Sequence, residues 1–155
     1  MPDTPVPPDT GRAHTGSGFG RMLVAVYAVF AISATARSGV QLALHFDDAP
    51  VAYLLSAFAA LVYIVATVAL ARRGRTAEVV AVAAIGVELV GVLVVGALTV
   101  LDPELFPDAT VWSGFGEGYG YIPLVLPIVG MWWVLRTRRR NRRTGEPRPG
   151  GNLNP

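Results

Sequence analysis

The sequence predicts an all-α protein: a four-helix transmembrane bundle with both termini in the cytoplasm (N-in/C-in) and disordered tails. Three observations predict it. Long apolar stretches carry almost no charge, arginines outside them fall only in the tails and the second connection, and polar or small residues recur at helical spacing within the apolar stretches. Of the 155 residues, 52% are hydrophobic and 15% charged, where an ordinary soluble domain has about a quarter charged. The length suits one modest domain.

Residues 1–20 are rich in Pro, Gly, Thr and Asp without apolar periodicity, and read as a disordered cytoplasmic tail. The membrane domain follows over 21–136. Its apolar segments are Met22–Leu44, Val51–Ala71, Ala77–Leu101 and Tyr121–Leu135. The first three reach the ~20 residues a helix needs to cross a ~30 Å hydrocarbon core. The fourth is short alone and becomes long enough if it starts near Val111. Residues 137–155 read as an Arg-rich disordered tail. Ala34-Thr35-Ala36 resembles a signal-peptide cleavage site. The apolar run nevertheless resumes through Val40–Leu44, which favours an uncut first helix.

Orientation follows from the connections. Arg12 and Arg21 precede the first segment, Arg72, Arg73 and Arg75 join the second to the third, and Arg136, Arg138, Arg139 and Arg140 open the C-terminal run. The His45–Asp48 and Asp102–Asp108 connections hold acids and no arginine. Basic clusters collect on the cytoplasmic side of a membrane, which places both termini there, with the plasma membrane of a bacterium as the site. All 13 basic residues are Arg. With the heavy use of Ala, Val and Gly, this points to a GC-rich bacterial genome. Trp132 and Trp133 fit the inner interface beside the arginines, and Trp112 and Tyr121 the outer one.

Within a bilayer, polar and small residues face other helices, because lipid offers no hydrogen bonds and no close packing. On the first segment Ser33, Arg37 and Gln41 form one stripe. On the second, Tyr53, Ser56, Ala60, Tyr63 and Thr67 share a face. On the third, Ala77, Ala81, Ala84, Glu88, Gly91, Val95 and Thr99 do so, with Val79, Val82, Val90, Leu93 and Ala97 opposite.

Arg37 and Glu88 are the ionisable residues well inside the segments. A lone charge there costs at least ~2.5 kcal/mol. Counted from the expected cytoplasmic helix ends, the two differ in depth by about 6 Å at ~1.5 Å per residue. The sequence therefore predicts an Arg37–Glu88 salt bridge, with Gln41 and Tyr63 as hydrogen-bond partners and Glu117 as an alternative acid. Ser33 completes this intramembrane polar set. Glu78 begins the third helix, where the helix dipole favours a carboxylate.

The outer connection is the least ordinary stretch. Gly114, Gly116, Gly118 and Gly120 alternate with Phe115, Glu117, Tyr119 and Tyr121, after Pro103 and Pro107. Such glycine density permits close backbone approach or positive φ. The segment either folds back onto the bundle or opens the fourth helix, in which Pro123 and Pro127 favour a kink. Gly118-Tyr119-Gly120 matches part of a potassium-channel filter, but Gly116-Glu117 replaces the preceding Thr-Val.

His45-Phe46-Asp47-Asp48 reads as a solvated turn, with Asp47 or Asp48 capping the second helix ahead of Pro50. There is no Cys, which excludes thiol catalysis, disulfides and thiolate metal sites. No catalytic triad, metalloprotease motif or nucleotide-binding glycine loop appears. The expectation is a non-enzymatic protein with no cofactor, no metal and no nucleic-acid partner. Its partners are the lipid bilayer, with anionic lipids at the Arg-rich C-terminus, and other membrane subunits or itself.

The stretches Arg37-Ser-Gly-Val-Gln41, Ala49 to Ser56, Val87-Glu88-Leu-Val-Gly91 and Asp102 through Pro127 resemble a family of small actinobacterial four-span integral membrane proteins. The resemblance covers about Arg21 to Leu135. It implies topology and carries no activity across. The functional expectation is an accessory or scaffold subunit, with a small solute or ion transporter built on Glu88 and Arg37 as the alternative.

Overall fold

A computed structural model describes residues 15–144. The described residues are all-α, with helices α1 (Thr15–Leu44), α2 (Pro50–Ala71), α3 (Arg75–Leu101) and α4 (Ile122–Thr144). Short 3₁₀ segments at Pro103–Leu105 and Ser113–Tyr119 lie between α3 and α4. Three helices are long and apolar enough to cross a membrane: 27 residues in α1 from Gly18, 22 in α2 and 27 in α3. A fourth crossing is available if Ser113–Tyr119 and α4, bent by 99° to one another, act as one unit.

Each boundary has a local cause. Pro50 sits in the first turn of α2, where its missing N–H is not needed. α2 and α3 are joined by the tight turn Arg72-Arg73-Gly74, in which Gly74 takes φ 120. α3 stops at Asp102, just before Pro103. Asp47 and Asp48 do not cap α2. The N-cap position is Ala49 with no side-chain bond, and Asp48 Oδ2 lies 3.2 Å from His45 Nδ1 instead.

α1 begins at Thr15, earlier than the apolar pattern predicts, and runs unbroken through Ala34–Ala36. Residues 137–144 are likewise helical as the end of α4. The rest of both expected tails lies outside the described residues. α4 does not extend back to Val111, because the chain turns sharply before Ile122.

Each helix packs on the next in chain order, and the short links from α1 to α2 and from α2 to α3 make those pairs antiparallel. The buried face of α2 contains Ala52, Ala59, Ala60, Ala66 and Ala69, small side chains that let helices approach. Leu54, Phe58, Leu61, Ile64 and Val68 recur every three or four residues on the opposite face and are exposed. Burying Ala and exposing Leu and Val reverses the pattern of a soluble protein and suits hydrocarbon as the surrounding solvent.

Candidate functional site

The predicted faces of α2 and α3 lie inward. Tyr53, Ser56, Ala60 and Tyr63 are buried, as are Ala81, Ala84, Glu88 and Val95. Thr67, Ala77, Gly91 and Thr99 are half-buried. On α1 the phase is different. The face against the bundle is Leu23, Tyr27, Phe30, Ala31, Ala34 and Ser38; Ser33 is exposed, and Arg37 and Gln41 lie half-buried at the margin.

Arg37 and Glu88 form no salt bridge. Arg37 Nη1 donates to the Tyr119 hydroxyl at 2.7 Å, and Nη2 donates to the Ala109 carbonyl at 3.0 Å. Glu117 is exposed and is not the partner either. The depth count fails because α1 starts at Thr15. Glu88 is level with Tyr27, and at ~1.5 Å per residue the ten residues from Tyr27 to Arg37 lift the guanidinium about 15 Å towards the C-terminal end of α1. There its long stem carries the charge to the polar segment between α3 and α4.

Glu88 is completely buried. Its Oε2 accepts a 2.7 Å hydrogen bond from the Tyr27 hydroxyl, while Oε1 has no partner among the described residues. Tyr63 does not bond to Glu88. Its hydroxyl accepts from Trp112 Nε1 at 3.2 Å, and its ring centroid lies 6.3 Å from that of Tyr27 and 5.6 Å from that of Phe30. Gly130 of α4 closes this layer: a Cβ there would stand 3.4 Å from the Tyr27 hydroxyl oxygen.

The glycine-rich segment folds back onto the bundle. Trp112 is not an interface anchor; it is 1% exposed and lies over Gly91, where an added Cβ would come within 2.5 Å of the ring. Phe115 covers Gly96 equally closely. Gly114 N–H donates to Thr99 Oγ1 at 2.8 Å, and Thr110 N–H donates to Ser113 Oγ at 2.8 Å. The fold-back needs left-handed backbone at Gly114, Phe115 and Gly116, with φ between 55 and 82. Gly116 has a second constraint, since a Cβ would meet the Pro123 ring at 2.8 Å. Phe115 takes φ 60 with a side chain attached, a conformation costing roughly 1–2 kcal/mol that its packing on Gly96 must offset. Tyr119 binds Arg37, and Gly120 ends the segment at φ 63; Gly118 is exposed. Beside it the Tyr53 hydroxyl donates to Asp108 Oδ2. Gln41 Oε1 is buried without a partner among the described residues.

At the other end, Trp132 is exposed with the Arg136 guanidinium 5.1 Å from its ring centroid. Trp133 fills the space at Gly20 of α1. Arg138 pairs with Glu78 at 3.3 Å, and Arg139 and Arg140 follow on α4. No cluster of His, Cys, Asp and Glu suited to a metal occurs among the described residues. Tyr27 and Trp112 are the residues that polarity patterning missed. The signal for Tyr27 was present, because a phenol inside an apolar segment needs a hydrogen-bond partner. No protein-family model, curated protein or solved structure matches the chain.

Proposed function

We propose that this chain crosses a bacterial plasma membrane four times, with both termini in the cytoplasm, and serves as a non-enzymatic accessory or scaffold subunit that works through helix packing. The observation that carries this reading is how the interior polar groups are used. Tyr27–Glu88, Tyr63–Trp112, Arg37–Tyr119 and Thr99–Gly114 each tie one structural element to another. Bonds of this kind hold a fixed shape, which a scaffold needs. The outward faces are left apolar, with Ile32, Val90 and Val100 among the exposed residues, and offer surface to lipid or to another membrane subunit. The small actinobacterial membrane proteins it resembles in sequence are proposed as its family.

Purification of the full chain from its native membrane in mild detergent tests the role. A complex of fixed stoichiometry with another membrane protein, dispersed by bulky substitution at Ile32 or Val90, is the expected result. A chain that migrates alone in every mild detergent contradicts it.

One observation favours a second reading, a small transporter. The unpartnered Oε1 of Glu88 is a place where a proton or a small cation could be held. Arg37 has no part in this version, being engaged elsewhere. Proton-dependent flux in proteoliposomes that disappears in Glu88→Gln would favour it over the scaffold.

A further inference from the structure

At the Arg72-Arg73-Gly74 turn, a groove of about 420 Å³ opens between α2 and α3. Its walls are apolar, including Ile64, Val68 and Val80, and its end is lined by Arg72, Arg73 and Thr76. Both arginines are exposed, and neither has a salt-bridge partner among the described residues. Glu78, on the first turn of α3, is already paired with Arg138. The turn is short, with Gly74 at φ 120, and both arginines belong to the lining of the groove.

An apolar trough that ends in paired, unneutralised cations has the chemical outline of an anionic phospholipid. Hydrocarbon fits the Ile64, Val68 and Val80 walls, and a phosphate oxygen pair fits the planar fork of a guanidinium. Zwitterionic lipid fills the same walls but brings its own cation to the arginines. A soluble phosphate meets the arginines but leaves the walls empty. We propose that this groove binds one anionic phospholipid, with its phosphate at Arg72 and Arg73 and part of one acyl chain lying between α2 and α3. The proposal rests on the reading of the chain as membrane-spanning with this turn at the cytoplasmic face, where anionic lipid is concentrated.

The test uses the full chain in detergent, with lipid retention read by native mass spectrometry. Phosphatidylglycerol, phosphatidylcholine and free glycerol phosphate are the probes. Phosphatidylglycerol should be retained in preference to phosphatidylcholine and should resist excess glycerol phosphate. Arg72→Gln/Arg73→Gln should weaken retention about thirtyfold, the effect of losing two arginine–headgroup contacts. Val68→Trp, which fills the groove from its exposed wall and leaves both arginines in place, should weaken it as well. Arg136→Gln/Arg139→Gln should not. Equal retention of both lipids, displacement by glycerol phosphate, or loss only in the α4 variant would overturn the proposal. Flotation with vesicles separates the two levels: a chain that floats but binds lipid without preference refutes the groove alone, whereas a chain that does not float refutes the membrane reading.

Discussion

The Tyr27 hydroxyl on α1 donates to Glu88 Oε2 on α3 across 2.7 Å of buried space. The two residues are far apart in sequence, and no other side chain bonds to that carboxyl among the described residues. Gly130 makes the contact possible from the α4 side, since a larger residue would press on the Tyr27 hydroxyl and on Ile85. Three helices therefore converge on one hydrogen bond, with the Arg37–Tyr119 and Thr99–Gly114 contacts towards one end of the bundle and the Arg138–Glu78 pair towards the other.

Tyr27→Phe removes the donor and leaves Glu88 with neither oxygen paired. The expected loss is about 1–3 kcal/mol, the cost of stranding a buried polar group. Thermal unfolding of the detergent-purified protein measures it. Tyr27→Phe/Glu88→Leu, in which both partners become apolar, should recover much of that loss. An unchanged midpoint for Tyr27→Phe would show that the bond contributes nothing.

Gly91→Val should expel Trp112, because the added carbon would enter the indole ring. In a Trp132→Phe/Trp133→Phe background, Trp112 is the sole tryptophan and its emission should shift to the red. Trp112→Phe is the milder change and should cost roughly 0.5–1.5 kcal/mol for the lost bond to Tyr63. Emission that stays blue in Gly91→Val would refute the docked position of the glycine-rich segment.

Arg37 and Glu88 should behave as independent sites. A cycle built from Arg37→Gln and Glu88→Gln should give a coupling energy below about 0.5 kcal/mol. Arg37→Gln and Tyr119→Phe share a 2.7 Å bond and should couple by roughly 0.5–3 kcal/mol. The reverse ranking would restore the salt bridge that the sequence suggests.

The contrast between α2 and α1 shows what sequence pattern can reveal. On α2 the polar residues Tyr53, Ser56 and Tyr63 coincide with the packing face, so polarity alone locates it. On α1 the packing face is aromatic and small, Tyr27, Phe30, Ala31 and Ala34, while Ser33 turns outward. Ser33 tolerates that position because a hydroxyl can bond to its own helix backbone, as Ser38 does with the Ala34 carbonyl at 2.7 Å. Arg37 reaches the polar segment between α3 and α4 through a long flexible stem, so its depth in the sequence does not fix the depth of its charge. Glu88 was legible as buried from its place on the third stripe. Its partner was not, because the start of α1 at Thr15 lies in a stretch with no apolar period. The glycine-rich segment was legible as unusual, but the choice between helix and fold-back depends on Trp112 and Phe115 meeting Gly91 and Gly96, which are distant in the chain.

The whole account requires the arginine-bearing turn and the acidic connections to lie on opposite sides of a bilayer. Because the chain has no native cysteine, single cysteines at Asp47, Arg73 and Glu104 can be labelled with a membrane-impermeant maleimide on intact cells. Asp47→Cys and Glu104→Cys should react at once, and Arg73→Cys only after the membrane is permeabilised. Labelling of Arg73→Cys on intact cells would contradict the account.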